Sequence, residues 1–175
     1  MITDVYVDLD GVLVDFVSKI EELTQMKISD INAIPGNEII RNLLNEEVEK
    51  GFYLNLPPVK DVAKMIELVK YCKEHYYTRA LTVCYGNNFD LIADHKQQWL
   101  NNNGFEGLKL IGVARSREKS LYANPRTILI DDRSRSCEPF RHSDGIAVKH
   151  RSADHTIITL RGIGVIDKRH KFSWE

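Results

Sequence analysis

One short stretch near the amino terminus constrains the fold most: an apolar strand that ends abruptly in two carboxylates. Residues 5–7, VYV, are β-forming and carry no charge, which is typical of a strand buried on both faces of a parallel sheet. Asp8 and Asp10 follow at a spacing of i, i+2, and Gly11 allows a turn that brings them together. Ligands of open α/β sheets bind at this edge. For an isolated Asp-x-Asp, two solvated acids in a surface turn are the alternative.

A second apolar run later in the chain has the same design. Residues 127–131, TILID, end in Asp131, and Asp132 follows directly. In a parallel sheet this tip lies at the same edge as the first one. Mg²⁺ prefers a few carboxylate oxygens together with water and substrate phosphate. The sequence therefore predicts a Mg²⁺ site formed by Asp8, the Asp10 carbonyl and Asp131.

Helical and extended patterns occupy the chain between and after these two acidic strands. Apolar stripes predict helices at 62–74 and 89–102, and extended runs predict strands at 79–84, 108–113 and 144–148. Helices that connect parallel strands on both faces of a sheet define the α/β class. We therefore predict an α/β protein with a parallel sheet.

Length and charge exclude several classes of partner. The 175 residues fit one α/β core with a small insertion. The formal net charge of −1 gives no global field to gather polyanions, so no nucleic-acid binding is expected. No apolar run is long enough to span a bilayer, so no membrane association is expected. Three cysteines without a Cys-x-x-Cys pair, and no basic leader with an apolar signal region, predict free thiols and a cytoplasmic location.

Four motifs carry a resemblance to a known family. The stretch DLDGVL at 8–13 resembles the nucleophile motif of the haloacid dehalogenase superfamily, most closely that of the 5'(3')-deoxyribonucleotidase branch. Thr82 closes the second predicted strand, Lys119 ends the triplet REK that begins at Arg117, and residues 130–133, IDDR, form the last motif. All four stand in the order of that superfamily. The resemblance implies its Rossmann-like sheet.

The same resemblance implies roles for the motif residues. Asp8 is expected to be the nucleophile that accepts the phosphoryl group, and Asp10 the general acid and base. Thr82 and Lys119 are expected to hold the phosphoryl oxygens, and Asp132 to support the metal-bound water. One departure from the relatives follows Thr82, where Val83 and Tyr85 replace a small hydroxylated residue and a proline. One phosphate contact is therefore expected to be missing or to come from the backbone.

The chain from residue 16 to residue 58 is predicted to be helical, with a break at Pro35 and Gly36. A helical insertion directly after the first acidic strand resembles the small cap that covers the active site in this branch. We therefore divide the chain into a core, residues 1–15 and 59–175, and a cap, residues 16–58. Helices that pack on the sheet as a simple crossover are the alternative.

Aromatic residues of this insertion are expected to face the substrate. Residues 51–58, GFYLNLPP, are similar to the segment at the cap exit of the deoxyribonucleotidases, where aromatic groups face the nucleoside. The resemblance implies Phe16 and Phe52 as walls for a base, since stacking on a base tolerates different bases. Ordinary packing in the cap interior is the alternative for either ring.

Three further cations are predicted to bind substrate. Lys96 lies between Ile92 and Trp99 on the apolar face of a predicted helix, where a lysine usually extends its ammonium group to solvent. Its spacing from the tryptophan also resembles that of the family, so Lys96 is interpreted as an additional cation. Arg117 and Arg133 are expected to line the phosphate end.

These features together predict a Mg²⁺-dependent phosphomonoesterase of the 5'-nucleotidase type. Its expected substrate is a nucleoside monophosphate, with a deoxyribonucleotide favoured, and hydrolysis is expected to pass through an aspartyl phosphate. A polynucleotide 3'-phosphate, a small sugar phosphate and a non-catalytic nucleotide-binding module are the alternatives. Retention of the nucleophile and its acid partner together argues against the binding module. The sequence leaves a homodimer open.

Overall fold

The computed structural model describes residues 1–33 and 38–175. Its centre is a sheet of five strands: β1 (Asp4–Val7), β2 (Tyr77–Val83), β3 (Lys109–Val113), β4 (Thr127–Asp131) and β5 (Ile146–Lys149). All neighbouring strands pair in parallel, in the order β3-β2-β1-β4-β5. This arrangement confirms the predicted α/β class with a Rossmann-like parallel sheet.

The two strands that end in carboxylates are neighbours at the centre of the sheet. Val7 of β1 lies opposite Ile130 of β4, and the Asp8 N–H donates to the Ile130 carbonyl over 2.9 Å. This bond extends the pairing by one residue. Val5 and Val7 have no exposed surface, because the central strands of such a sheet are covered on both faces. The register therefore brings Asp8 and Asp131 to the same edge.

The described residues form seven α-helices: α1 (Phe16–Thr24), α2 (Ile28–Asn32), α3 (Glu38–Glu47), α4 (Val62–His75), α5 (Phe89–Asn102), α6 (Ser134–His142) and α7 (Ala153–Gly162). The helices predicted at 62–74 and 89–102 are present as α4 and α5. The sequence pattern did not predict α6, because Pro139 interrupts it and its buried face includes Ser136 and Cys137 beside Phe140. Small polar residues of this kind give no apolar stripe.

The insertion after β1 is built of short helices whose apolar sides join the main hydrophobic core. Asp15 caps α1 by accepting a hydrogen bond from the Ser18 N–H over 3.1 Å. Phe16 and Leu44 pack into the same buried cluster as the sheet. The predicted break at residues 35 and 36 lies outside the described residues. The division into core and cap stays a prediction.

The carboxyl-terminal residues, for which the sequence suggested no role, pack against α4. The Tyr76 hydroxyl of the segment after α4 donates to the Val165 carbonyl over 2.5 Å. Phe172 is buried and contacts the Tyr71 ring of α4 edge to face at a centroid distance of 6.2 Å, and the Asp167 N–H donates to the Tyr71 hydroxyl over 3.1 Å. The tail therefore covers one helix of the core.

Two expectations from composition concern cysteines and membranes. All three cysteines are free, as their number and spacing predicted, and all three are buried. Across residues 1–33 and 38–175, none of the helices has the length and apolar character needed to cross a membrane.

Candidate active site

The site begins at the turn after β1, which depends on a glycine. Gly11 has a φ of +83°, in the left-handed region that favours glycine. A Cβ at this position would lie 2.5 Å from Oδ2 of Asp132. The Leu9 carbonyl accepts hydrogen bonds from the N–H groups of residues 12–14 and closes the turn. Gly11 therefore makes the turn and also leaves room for a carboxylate that follows β4.

Three carboxylates meet at the carboxyl edge of the sheet. Oxygens of Asp8, Asp131 and Asp132 lie within 4.8 Å of one another. The 3₁₀ helix after β3 brings Lys119 to them: its Nζ lies 2.6 Å from Asp131 Oδ2 and 2.9 Å from Asp8 Oδ1. The Arg133 N–H donates to the other oxygen of Asp131 over 2.9 Å. The carboxylates are therefore held in place from both sides.

Burial and mutual repulsion change the protonation equilibria of this cluster. Burial, together with the Asp8 carboxylate, raises the pKa of Asp132 to about 7. The pKa of Asp131 is also raised, by burial and by Asp8, against the opposing effect of Lys119. Burial alone would lower the pKa of Lys119, but the charges of Asp8 and Asp131 outweigh it and the pKa is raised. Negative charge is therefore in excess at this edge.

Asp10 is paired with a different cation, Lys96 of α5. The fully buried Lys96 ammonium donates to Asp10 Oδ2 over 2.7 Å, to Thr82 Oγ1 over 3.0 Å and to the Val83 carbonyl over 3.0 Å. These three bonds use all three hydrogens of an ammonium group. The ammonium also lies 4.9 Å from the centroid of the Tyr53 ring. Lys96 therefore lies beside the residue predicted as the general acid.

The donor set of the cluster fits a divalent metal. Among the described residues, four carboxylates at the strand tips face two buried ammonium groups, Lys96 and Lys119. Asp132 Oδ1 is buried without a hydrogen-bond partner in the part of the chain that the structure describes, and Asp8 Oδ1 is buried with the Lys119 ammonium 2.9 Å away. Hard carboxylate oxygens of this kind suit Mg²⁺. Since Lys96 holds the Asp10 side chain, the predicted metal contact of Asp10 depends on its backbone carbonyl.

A cavity of about 610 Å³ opens above the carboxylates. Asp8, Asp10 and Lys119 form its floor. The insertion contributes an apolar wall, formed by Phe16, Val17, Ile28, Ile40, Leu44 and Val48, and two polar side chains, Arg41 and Asn45. The volume lies within the range of small-molecule sites, about 300–1,000 Å³. The cavity thus combines a charged floor with an apolar wall.

The two phenylalanines predicted to face a base occupy different positions. Phe16 lines the cavity, whereas Phe52 is not among the described residues that line it. The Phe52 ring lies behind Phe16, edge to face with a centroid distance of 5.7 Å, and also contacts Tyr53 at 5.0 Å. Phe52 therefore has the position of an interior packing residue, which was the alternative considered from the sequence.

Of the other residues predicted to contact substrate, some line the cavity and others do not. Arg133 lines the cavity and its Nε lies 3.9 Å from Asp132 Oδ2. Arg117 is exposed and does not line the cavity within the described residues. Thr82 has no exposed surface, and its hydroxyl accepts from Lys96. Val83, next in the chain, lines the cavity, and the expectation of a missing or backbone-supplied phosphate contact at this strand end stays a prediction.

Several cavity residues were not identified from the sequence. They are Arg41 and Asn45 of α3, Tyr85, Asn87 and Asn88 after β2, and Arg135 and Ser136 of α6. The Arg135 guanidinium donates to the Tyr85 hydroxyl over 3.4 Å and joins two parts of the rim. The groups after β2 and β4 stand at the carboxyl ends of strands. Because ligands of open α/β sheets bind at that edge, these residues could have been located from the sequence. No feature of the sequence pattern indicated that Arg41 and Asn45 of α3 line the cavity.

Several solved structures have a similar fold. A HAD-family enzyme from Bacteroides thetaiotaomicron, in complex with magnesium and inorganic phosphate, has a TM-score of 0.51 at 14% identity, covering 86% of this chain and 95% of that chain. A haloacid dehalogenase-like family hydrolase from Xanthomonas campestris has a TM-score of 0.58 at 15% identity, covering 93% and 91%.

A third similar structure is an L-2-haloacid dehalogenase from Xanthobacter autotrophicus with chloropropionic acid covalently bound. Its TM-score is 0.51 at 14% identity, and the match covers 95% of this chain and 85% of that chain. The sequence itself matches no protein-family model and no curated protein. The chain therefore has the haloacid dehalogenase-like hydrolase fold.

Proposed function

We propose that this protein is a Mg²⁺-dependent phosphomonoesterase that uses Asp8 as its nucleophile. The observation that carries the proposal is the different environment of two adjacent acids. Asp8 belongs to the carboxylate cluster with Asp131 and Lys119, whereas Asp10 is bonded to Lys96. A nucleophile and a separate acid are the two groups that a covalent phosphatase needs.

In the first step, a carboxylate oxygen of Asp8 attacks phosphorus and the bond from phosphorus to the ester oxygen breaks. The protonated Asp10 gives its proton to the departing alkoxide, so the product leaves as a neutral alcohol. Lys119, which reaches the cavity floor, holds an oxygen of the transferred group. Bound Mg²⁺, held by Asp8, Asp131 and Asp132, would supply the charge that offsets the repulsion between two anions.

In the second step, water attacks the aspartyl phosphate. Asp10 is now a carboxylate and takes a proton from the water, the new oxygen–phosphorus bond forms, and the bond from phosphorus to Asp8 breaks. Inorganic phosphate leaves and Asp10 is again protonated, so the cycle closes without another reactant. The position of Asp10 two residues from Asp8, at the cavity floor, supports both proton transfers.

A dehalogenase is the second candidate, because an L-2-haloacid dehalogenase is among the similar structures. Displacement of a halide by a carboxylate would also use Asp8. It has no need of a divalent cation to bring two anions together, nor of an acid for the leaving group. The three converging carboxylates and the presence of Asp10 therefore favour phosphoryl transfer.

The proposed substrate is a nucleoside monophosphate, with a deoxyribonucleotide favoured. The apolar wall formed by Phe16 and the helices of the insertion supports a substrate with a flat, weakly polar part. Amide groups of Asn45, Asn87 and Asn88 are available at the same cavity for hydrogen bonds to a base or sugar. A small sugar phosphate would leave the apolar wall without a partner, and a polynucleotide end is disfavoured by the net charge of −1.

The experiment is a panel of 5'- and 3'-monophosphates, sugar phosphates and 2-chloropropionate, each with Mg²⁺ and with a chelator. We expect phosphate release from deoxyribonucleoside monophosphates that requires Mg²⁺, and loss of turnover in Asp8→Asn. Chloride release from 2-chloropropionate, unaffected by the chelator, would support the dehalogenase instead. Turnover of a sugar phosphate above every nucleotide would overturn the substrate assignment but leave the phosphatase chemistry standing.

A further inference from the structure

We infer that Lys96 is a positioning residue: it fixes the carboxyl group of Asp10 for proton transfer and does not bind substrate. This inference rests on the proposed phosphatase function. Lys96 is 1% exposed and comes from the middle of α5, while Asp10 comes from the turn after β1. A buried ammonium group on α5 is thus hydrogen-bonded to the proposed general acid in the turn after β1.

The hydrogen bonds of Lys96 use all three hydrogens of its ammonium group, so none is left to bind a phosphate oxygen. Its ammonium donates to Asp10, to the Thr82 hydroxyl and to the Val83 carbonyl at 2.7–3.0 Å. Lys96 is absent from the described residues that line the cavity, whereas Lys119 lines it. Of these two buried lysines, Lys119 is therefore the one placed to hold the transferred group.

Lys96 makes the two oxygens of Asp10 different. Oδ2 is held by the ammonium, while Oδ1 has no hydrogen-bond partner among the described residues. The terminal torsion of an aspartate is broad and permits either oxygen to face a given point. A fixed Oδ2 restricts this rotation, so that Oδ1 is the oxygen that carries the proton to the leaving alkoxide and receives it from water. Because general acid–base catalysis contributes about 10²–10⁴-fold, loss of this orientation is expected to be large.

The surroundings keep Lys96 in one conformation. The Tyr53 ring lies 4.9 Å from its ammonium, in the segment through which the insertion returns to the core. Trp99, one turn further along α5, donates from Nε1 to the Leu56 carbonyl over 2.8 Å. This bond fastens the same segment to α5. The insertion and the core are thus joined at the point where Asp10 is held.

The test compares two phosphate esters in Lys96→Met, a change that removes the charge and keeps an unbranched side chain. p-Nitrophenyl phosphate has a leaving group that departs without protonation, whereas an alkyl phosphate such as the preferred nucleotide needs the acid. The ratio kcat/KM reports the steps up to departure of the alcohol. We expect kcat/KM to fall about 10²–10⁴-fold for the alkyl ester and less than about tenfold for the aryl ester, with the inhibition constant of inorganic phosphate unchanged.

Two other variants serve as controls for the comparison of the two esters. Asp10→Asn lacks the acid and should show the same contrast between the two esters. Lys73→Met removes a lysine whose ammonium donates to the Glu106 carbonyl over 2.5 Å, away from the strand tips. It should leave both activities at the wild-type level. Circular dichroism and the melting temperature establish that each variant is folded.

The double variant Asp10→Asn/Lys96→Met addresses loss of folding, since it leaves neither charge unpaired. If Lys96 acts through Asp10, the kcat/KM of the double variant equals that of Asp10→Asn alone. A further tenfold loss in the double variant, or equal losses on both esters with weaker inhibition by phosphate in Lys96→Met, would overturn the inference and make Lys96 a phosphate ligand. Wild-type protein that hydrolyses neither ester would instead refute the proposed function.

Discussion

Replacement of Phe16 and of Phe52, each by leucine, separates a substrate contact from internal packing. The two rings touch each other at a centroid distance of 5.7 Å and are 8% and 4% exposed, but only Phe16 lines the cavity. Their losses of stability should therefore be similar, in the range of about 0.5–3 kcal/mol. If Phe16 stacks on a base, Phe16→Leu should lose a further 1–3 kcal/mol of transition-state binding, about fivefold to 150-fold in kcat/KM.

The assay measures kcat/KM for a deoxyribonucleotide and for p-nitrophenyl phosphate, which has a ring but no nucleoside. Phe16→Leu is expected to affect the nucleotide much more than the aryl ester, because the floor residues are unchanged. Phe52→Leu is expected to affect both slightly and equally. Equal losses on both substrates in folded Phe16→Leu, or a selective loss in Phe52→Leu, would refute the assignment of the cavity wall.

Three further predictions concern metal, turn and pH. Mg²⁺ at 100 times its dissociation constant should stabilise the protein by about 2.7 kcal/mol; a melting temperature that does not change, or an equal rise in Asp132→Asn, would contradict the metal site. Gly11→Ala should cost about 1–2 kcal/mol for its positive φ and weaken Mg²⁺ activation, because its Cβ meets Asp132; unchanged activation would contradict this contact. Burial lowers the pKa of His150 below that of the unfolded chain, so the contribution of His150 to the unfolding free energy should decrease as pH falls below about 6.5, by at most about 1.4 kcal/mol per unit. The raised pKa of Asp132 contributes with the opposite sign below about 7, so the measured quantity is the difference in unfolding free energy between wild type and His150→Asn in denaturant titrations. A difference that does not change with pH would contradict the assignment to His150.

The sheet was predictable because its signals are local. Apolar runs that end in acids are features of single strands, and adjacency of β1 and β4 follows from the topology of the class. The register that sets Asp8 beside Asp131 needed only these two facts. The carboxylate cluster was therefore within reach of sequence reasoning.

What could not be predicted depends on contacts between distant segments. Lys96 has the sequence position of a lysine that extends to solvent, and only the approach of Asp10 and Tyr53 explains its burial. Phe16 and Phe52 are equally aromatic, and their order from the cavity outward depends on how the insertion packs. The short helix α6 was missed because it is buried through small residues such as Ser136, which produce no hydrophobic periodicity.

The most direct test of the central claim is to trap the covalent intermediate on Asp8. Asp10→Asn, incubated with Mg²⁺ and p-nitrophenyl phosphate, should release p-nitrophenol in a burst and accumulate phosphorylated protein, since the acid is dispensable for departure and the base is needed for hydrolysis. Quenching in acid and reduction with borohydride converts an aspartyl phosphate to homoserine, which peptide mass spectrometry locates. The account predicts that change at Asp8. No burst, or a change at Asp131 or Asp132 in place of Asp8, would contradict it.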